Sequence, residues 1–228
     1  MTPTRSADEL LSVDSPAWPR LNTLLASAPV DVKVVPADDT ARGDVLFRLQ
    51  VTAASTLGAI ASSCGALVVD HGWVRILGAG SEGIEDIATA NALGDPDHRA
   101  APPGHLVIAY DVLGGVFAIN HDDLPAEPGE VCYWGPDTLA WTPLGAGHTA
   151  FVEWVLNAGV AEFYRELRWP GWEEDVAALS IDEGISVYPF LFTEEGRDIA
   201  TVARKAVPFR ELLYLNAHMA NSLSPGSN

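Results

Sequence analysis

The chain has 228 residues, 48% of them apolar and 19% charged, and sets 31 Asp and Glu against 13 Lys and Arg, a formal net charge of −18. That apolar share is enough for a packed core, so a disordered chain is excluded, and the length fits one large domain with at most an added subdomain. The acidity excludes phosphate backbones and anionic membrane surfaces as partners and favours a cationic one, attracted most strongly at low salt.

From the N-terminus, MTPTRSADELLSVD has early acids and no apolar signal core, so a cytoplasmic location is expected. Asp14-Ser15-Pro16 reads as a helix start, followed by Trp18, Leu21, Leu24 and Leu25 at helical spacing and closed by Pro29. Val30 to Val35 reads as a strand stopped by Pro36, and Asp38 to Gln50 as a helix with Val45, Leu46 and Leu49 on one face. Ala66 to Asp70 and Trp73 to Leu77 read as strands joined by a tight turn at His71-Gly72. A short helix over 84–93 and a Pro/Gly-rich loop over 94–104 follow.

Residues 105–143 carry the clearest pattern. His105 to Asp111, Val116 to Asn120, Glu130 to Trp134 and Leu139 to Thr142 are four short strands. Their connections are too short for crossovers, so the strands form an antiparallel meander. Helices are expected over 148–157, 160–167 and 171–179, an extended aromatic segment over 185–193, and a last helix from Pro208 with Phe209, Leu212, Leu213, Asn216 and Met219 on one face. The tail Ser224 to Asn228 should be disordered. The resulting expectation is an α+β fold: a twisted, mainly antiparallel sheet with flanking helices, in one domain over 1–223, with a meander core at about 57–158 and a helical extension at about 159–223.

Several residue sets invite a chemical reading. Gly78-Ala79-Gly80-Ser81-Glu82-Gly83 matches G-x-G-x-x-G between a strand and a helix, the pattern of a loop that cradles a pyrophosphate. Against it stand Glu82 in the loop, Glu85 and Asp86 just after it, and the missing parallel crossover. Cys132, Asp137 and His148 are the residue types of a nucleophile, orienter and base, but Cys132 lies in a strand among apolar neighbours and reads, like Cys64, as a small buried hydrophobe. The six histidines show no zinc spacing, and no cofactor or metal is expected. Trp169, Pro170 and Trp172 would suit a sugar platform; a corner between helices packed into the core is preferred.

The charge pattern is the stronger signal. Residues 100–164 contain no Lys or Arg and eight acids. Asp122, Asp123, Glu127, Glu130 and Asp137 are the candidate contact residues for a basic protein partner, and the competing reading is a solvated acidic surface that keeps the chain soluble.

Gly114 to Asn120, Gly129 to Trp134, Asp137 to Trp141 and Phe151 with Trp154 resemble the signature block of the SUKH superfamily, which includes yeast cell-wall-synthesis regulators and bacterial immunity proteins. Over nearly the whole length, Leu57-Gly58-Ala59, Gly72 to Gly78, Phe163 to Trp169 with Gly171-Trp172, and Tyr188 to Leu191 with Glu195 to Asp198 resemble an uncharacterised bacterial family, domain of unknown function 2625. The superfamily resemblance implies binding of proteins, toxins among them, without shared catalytic residues. This chain departs from the superfamily block with Asn120 where an acid is common and Gly135-Pro136 where a polar pair often stands. The expected function is an acidic protein-binding module, an immunity or regulatory protein; the alternative is a nucleotide-binding or hydrolytic enzyme using Gly78 to Gly83.

Overall fold

The computed structural model describes residues 3–38, 41–98 and 101–223. In chain order these form α1 (Ala7–Leu11), α2 (Trp18–Ser27), β1 (Val32–Val35), α3 (Ala41–Leu49), α4 (Thr56–Ser63), β2 (Ala66–Val69), β3 (Val74–Leu77) and α5 (Ile87–Ala90). Then come β4 (His105–Asp111), β5 (Val116–Asn120), β6 (Glu130–Gly135), β7 (Ala140–Gly147), α6 (His148–Leu156), α7 (Gly159–Phe163), α8 (Trp172–Ala177), β8 (Glu183–Tyr188), β9 (Ala203–Pro208) and α9 (Phe209–Leu223).

The architecture is α+β, as expected. Strands β1 to β7 lie side by side in sequence order in one antiparallel sheet, and β8 and β9 form a separate two-stranded hairpin. Register fixes which side chains share a face. Leu67, Ile76, Ala109, Phe117 and Tyr133 are successive cross-strand partners on one side, where all are buried. Val68, Arg75, Tyr110, Val116, Trp134 and Trp141 succeed one another on the other. The first face is covered by helices: α4 packs on β2, and α6 on β6 and β7. The start of α9 lies against the second. One apolar cluster runs from Leu10 to Val202, with Trp73, Trp169, Tyr164, Phe117 and Phe151 its largest fully enclosed members.

Register shifts at Val107/Ala109 and Glu130/Cys132 bend the sheet. The bend is large enough for the rings of His105 on β4 and Trp141 on β7, three strands apart in the sheet order, to approach to 5.5 Å between centroids.

Several boundaries differ from the sequence reading. The first long helix starts at Trp18 with Pro19 in its first turn, not at Asp14-Ser15-Pro16, because the Ala17 N–H is drawn to Ala53 O (2.9 Å) just before it. The helix expected over 84–93 shrinks to four residues, α5, since Ala92 takes a left-handed φ of 51°. The helix expected over 160–167 divides into α7 and a 3-10 turn, Arg165–Leu167. The sheet starts at β1, ahead of the expected meander core at 57, and the segment after 159 holds a hairpin as well as helices. The tail over 224–228, and residues 39–40 of the helix expected from Asp38, lie outside the described residues.

Candidate functional site

Asn120 ends β5 and shapes the acidic loop that follows. Its side chain is buried, donates from Nδ2 to Ala126 O (2.6 Å) and accepts at Oδ1 from the Leu124 N–H (2.9 Å). An aspartate could not make both bonds, since an ionised carboxylate only accepts. Gly104 completes the loop: its carbonyl accepts from the His121 and Asp122 N–H groups, and a Cβ there would lie 2.4 Å from Asp123 Oδ2. Asp123 in turn meets His105 Nδ1 at 3.0 Å, and the His105 ring leans on Trp141.

Four of the five candidate acids lie at one end of β6. Asp122, Asp123 and Glu127 sit on the β5–β6 connection and Glu130 opens β6, its carboxylate accepting from the Glu127 N–H (3.2 Å). Asp137 stands at the other end of β6, in the turn to β7. Among the described residues no Lys or Arg forms an ion pair with any of the five. Distant arginines do fold onto the base-free segment elsewhere: Arg20 pairs with Glu153 at 2.7 Å. At the Asp137 end of β6, Trp134 and Trp141 face each other across β6 and β7, both half-buried; the Trp141 ring reaches back to His105, beside the loop. The sequence reading assigned no contact role to His105, Trp134 or Trp141; the alternation of β6 and β7 places both tryptophans on one face, but the bend that brings His105 to them leaves no mark in a linear pattern.

The glycine-rich loop is spent on its own chain. A Cβ on Gly78 would lie 2.4 Å from Cys64 O, one on Gly80 2.7 Å from Asp86 N, and one on Gly83 2.7 Å from Ile181 Cγ2. The α5 start is already capped, with Asp86 Oδ1 accepting from the Thr89 N–H (2.8 Å). Cys132, Asp137 and His148 are not assembled: no hydrogen bond joins any two of them, Cys132 is fully buried on β6, and burial raises its thiol pKa. Burial likewise pushes the Cys64 thiol up to about 12. Among the described residues no group of three or more His, Cys, Asp or Glu is placed to hold a metal ion, and no helix is long and apolar enough to cross a membrane.

The model of the family "Protein of unknown function DUF2625" matches residues 7–212. The chain belongs to this family. It is 33% identical over 224 residues to YbfG of Escherichia coli (strain K12), covering 96% of this chain and 99% of that protein. It is 31% identical over 190 residues to an uncharacterized protein of Haemophilus influenzae, covering 82% of this chain and 81% of that one.

In this DUF2625 chain Tyr164, Arg168 and Trp169, within the stretch from Phe163 to Trp172, build a largely buried corner. The Arg168 guanidinium lies over the rings of Trp172 (3.9 Å) and Trp73 (4.9 Å) and pairs with Asp70 in the β2–β3 turn. Asp70 and His71 both take left-handed φ there, 57° and 61°, a conformation costly for residues other than glycine. Trp169 is enclosed, its indole N–H donating to Asp175 Oδ2 (2.7 Å). Next to this corner, Asp111 is wholly buried and accepts from Tyr133 OH (2.7 Å), Tyr164 OH (3.0 Å), and the Leu113 (2.9 Å) and Gly115 (2.8 Å) N–H groups. Burial raises its pKa against the lowering effect of those four donors. On the opposite sheet face Arg75, Tyr110 and the first turn of α9 line an open cavity of about 430 Å³.

Proposed function

We propose that this protein works by contact with a basic protein partner, through the acidic β5–β6 loop and the Trp141 ring that reaches it through His105. The observation that carries the reading is the juxtaposition itself. Four carboxylates that form no ion pair with a Lys or Arg among the described residues stand on, or at the end of, a loop pinned by Asn120, and one of them, Asp123, meets His105, whose ring leans on the half-buried Trp141. Carboxylate charge without a Lys or Arg counter-ion on a preformed loop speeds and orients encounter, and tryptophan is a residue type that supplies binding energy once desolvated. The net charge of −18 acts in the same direction at long range. The likeness of the Gly114 to Trp141 block to the SUKH superfamily agrees with an immunity or regulatory protein acting in the cytoplasm.

The test is retrieval of a partner by the full chain at low salt, repeated with the quadruple charge reversal D122K/D123K/E127K/E130K and with Asp137→Lys alone. A basic partner held by the wild type, lost with the quadruple variant and largely kept with Asp137→Lys is the expected result. Undiminished capture by a folded quadruple variant contradicts the electrostatic reading.

A further inference from the structure

The geometry points to a second binding site, for a small organic anion with an apolar body, in the cavity between strands β3 and β4 and the start of α9. Arg75 and Tyr110 are directly opposed cross-strand partners, so both side chains rise from the same sheet face. Arg75 is only 3% exposed, yet no carboxylate among the described residues lies within ion-pair distance of it. Of its five N–H donors, the structure occupies one, donated from Nη1 to Ile181 O at 2.8 Å. The Tyr110 hydroxyl donates to no protein acceptor among the described residues, and the ring is likewise nearly buried. Both line the cavity.

Phe209, the first residue of α9, closes the cavity from above. Its ring packs edge-on to Tyr110 at 5.3 Å and under the Arg75 guanidinium at 5.3 Å. The cavity is thus an apolar slot with unused donors at its floor and the positive end of a 15-residue helix at its rim. Arg210 adds an exposed charge at the mouth, 3.5 Å from Glu85. A buried cation without a paired carboxylate is costly. Desolvation outweighs the pull of Asp111, Asp182 and Glu183, bringing the Arg75 pKa down to about 10. A bound carboxylate or phosphate head would offset that cost through charge-assisted bonds from Arg75 and Tyr110, while its body stacked on Phe209. Glu85 and Asp182 also line the cavity, so a polyanion such as a nucleoside triphosphate would be repelled and a single head group favoured. This site is independent of the acidic loop.

The test titrates the full chain with phenylacetate, phenylphosphate and inorganic phosphate while following by NMR the Nε–Hε resonance of Arg75 and the backbone amides of Ser81 and Ile84, which line the cavity and serve alone in Arg75→Met. The expected result is a saturable shift with one or both aromatic probes below about 10 mM, and a weaker one with inorganic phosphate. A carboxylate ligand is indicated if phenylacetate binds better, a phosphate monoester if phenylphosphate does. Tyr110→Phe, which keeps the ring, should weaken binding about threefold or more, and Arg75→Met about tenfold or more. Should Arg75→Met fail to fold, Tyr110→Phe and Arg210→Ala decide, each expected to weaken binding. No saturable change at Arg75 with any probe, or equal affinity in Tyr110→Phe and Arg210→Ala, overturns the proposal.

Discussion

His148 opens α6 with both ring nitrogens shut from solvent and without a hydrogen-bond partner, and burial lowers its pKa from 6.5 to about 4. Between those values the unfolded chain binds the proton and the folded one does not. The contribution to stability is therefore fully present above pH 6.5 and is lost as pH falls toward about 4. Urea unfolding at pH 7.5 and 4.5 should show His148→Leu losing about 2 kcal/mol less than wild type over that interval; equal losses would mean the ring is hydrated. Gly115 presents a steric case. A Cβ there would lie 2.1 Å from Asp111 Oδ2 and 2.5 Å from Tyr133 OH, so Gly115→Ala must displace the carboxylate from its donors. A loss of about 3 kcal/mol in a denaturant midpoint series is expected. Asn120→Asp keeps the shape but loses the donor to Ala126 O, and should cost about 1–2 kcal/mol while loosening 121–129 to hydrogen exchange.

At the scale of elements, the Arg168–Asp70 pair ties the segment after α7 to the strained β2–β3 turn. Both side chains are largely buried, so Arg168→Ala leaves a carboxylate without its cation and removes the stacking on Trp73 and Trp172. Thermal and urea unfolding should report a loss of about 3 kcal/mol or more. Arg168→Lys should not restore it, because an ammonium has no flat face to stack on an indole ring; full rescue by lysine would show that charge alone matters there. Elements with an apolar period were legible in the sequence: β4 and β5 fall where His105 to Asp111 and Val116 to Asn120 were read, and β6 extends its reading by one residue. Strand β9 was not. Its residues, Ala203 to Pro208, alternate between exposed and half-buried with Arg204 and Lys205 among them, so no hydrophobic pattern marks it. It is held by pairing with β8, a partner about twenty residues away that local patterning does not reveal.

For the molecule as a whole, the charge imbalance was plain from composition, and the base-free segment located it. The sequence could not show that Asp137 stands apart from the other four acids, nor that the bent sheet brings His105 and Trp141 together beside them. Both depend on which strand ends meet, a property of register and curvature rather than of residue type. The Arg75 cavity was illegible for the same reason: Arg75, Tyr110 and Phe209 are brought together by sheet pairing and by a helix that arrives more than 130 residues after β3. The most direct test of the contact surface is the partner affinity of wild type and D122K/D123K/E127K/E130K measured at about 50 and 500 mM salt. The wild type should weaken about tenfold or more across that range, and the quadruple variant should bind weakly at both salts. Salt-independent wild-type affinity, matched by the variant, would contradict an acidic loop that recruits a cationic partner.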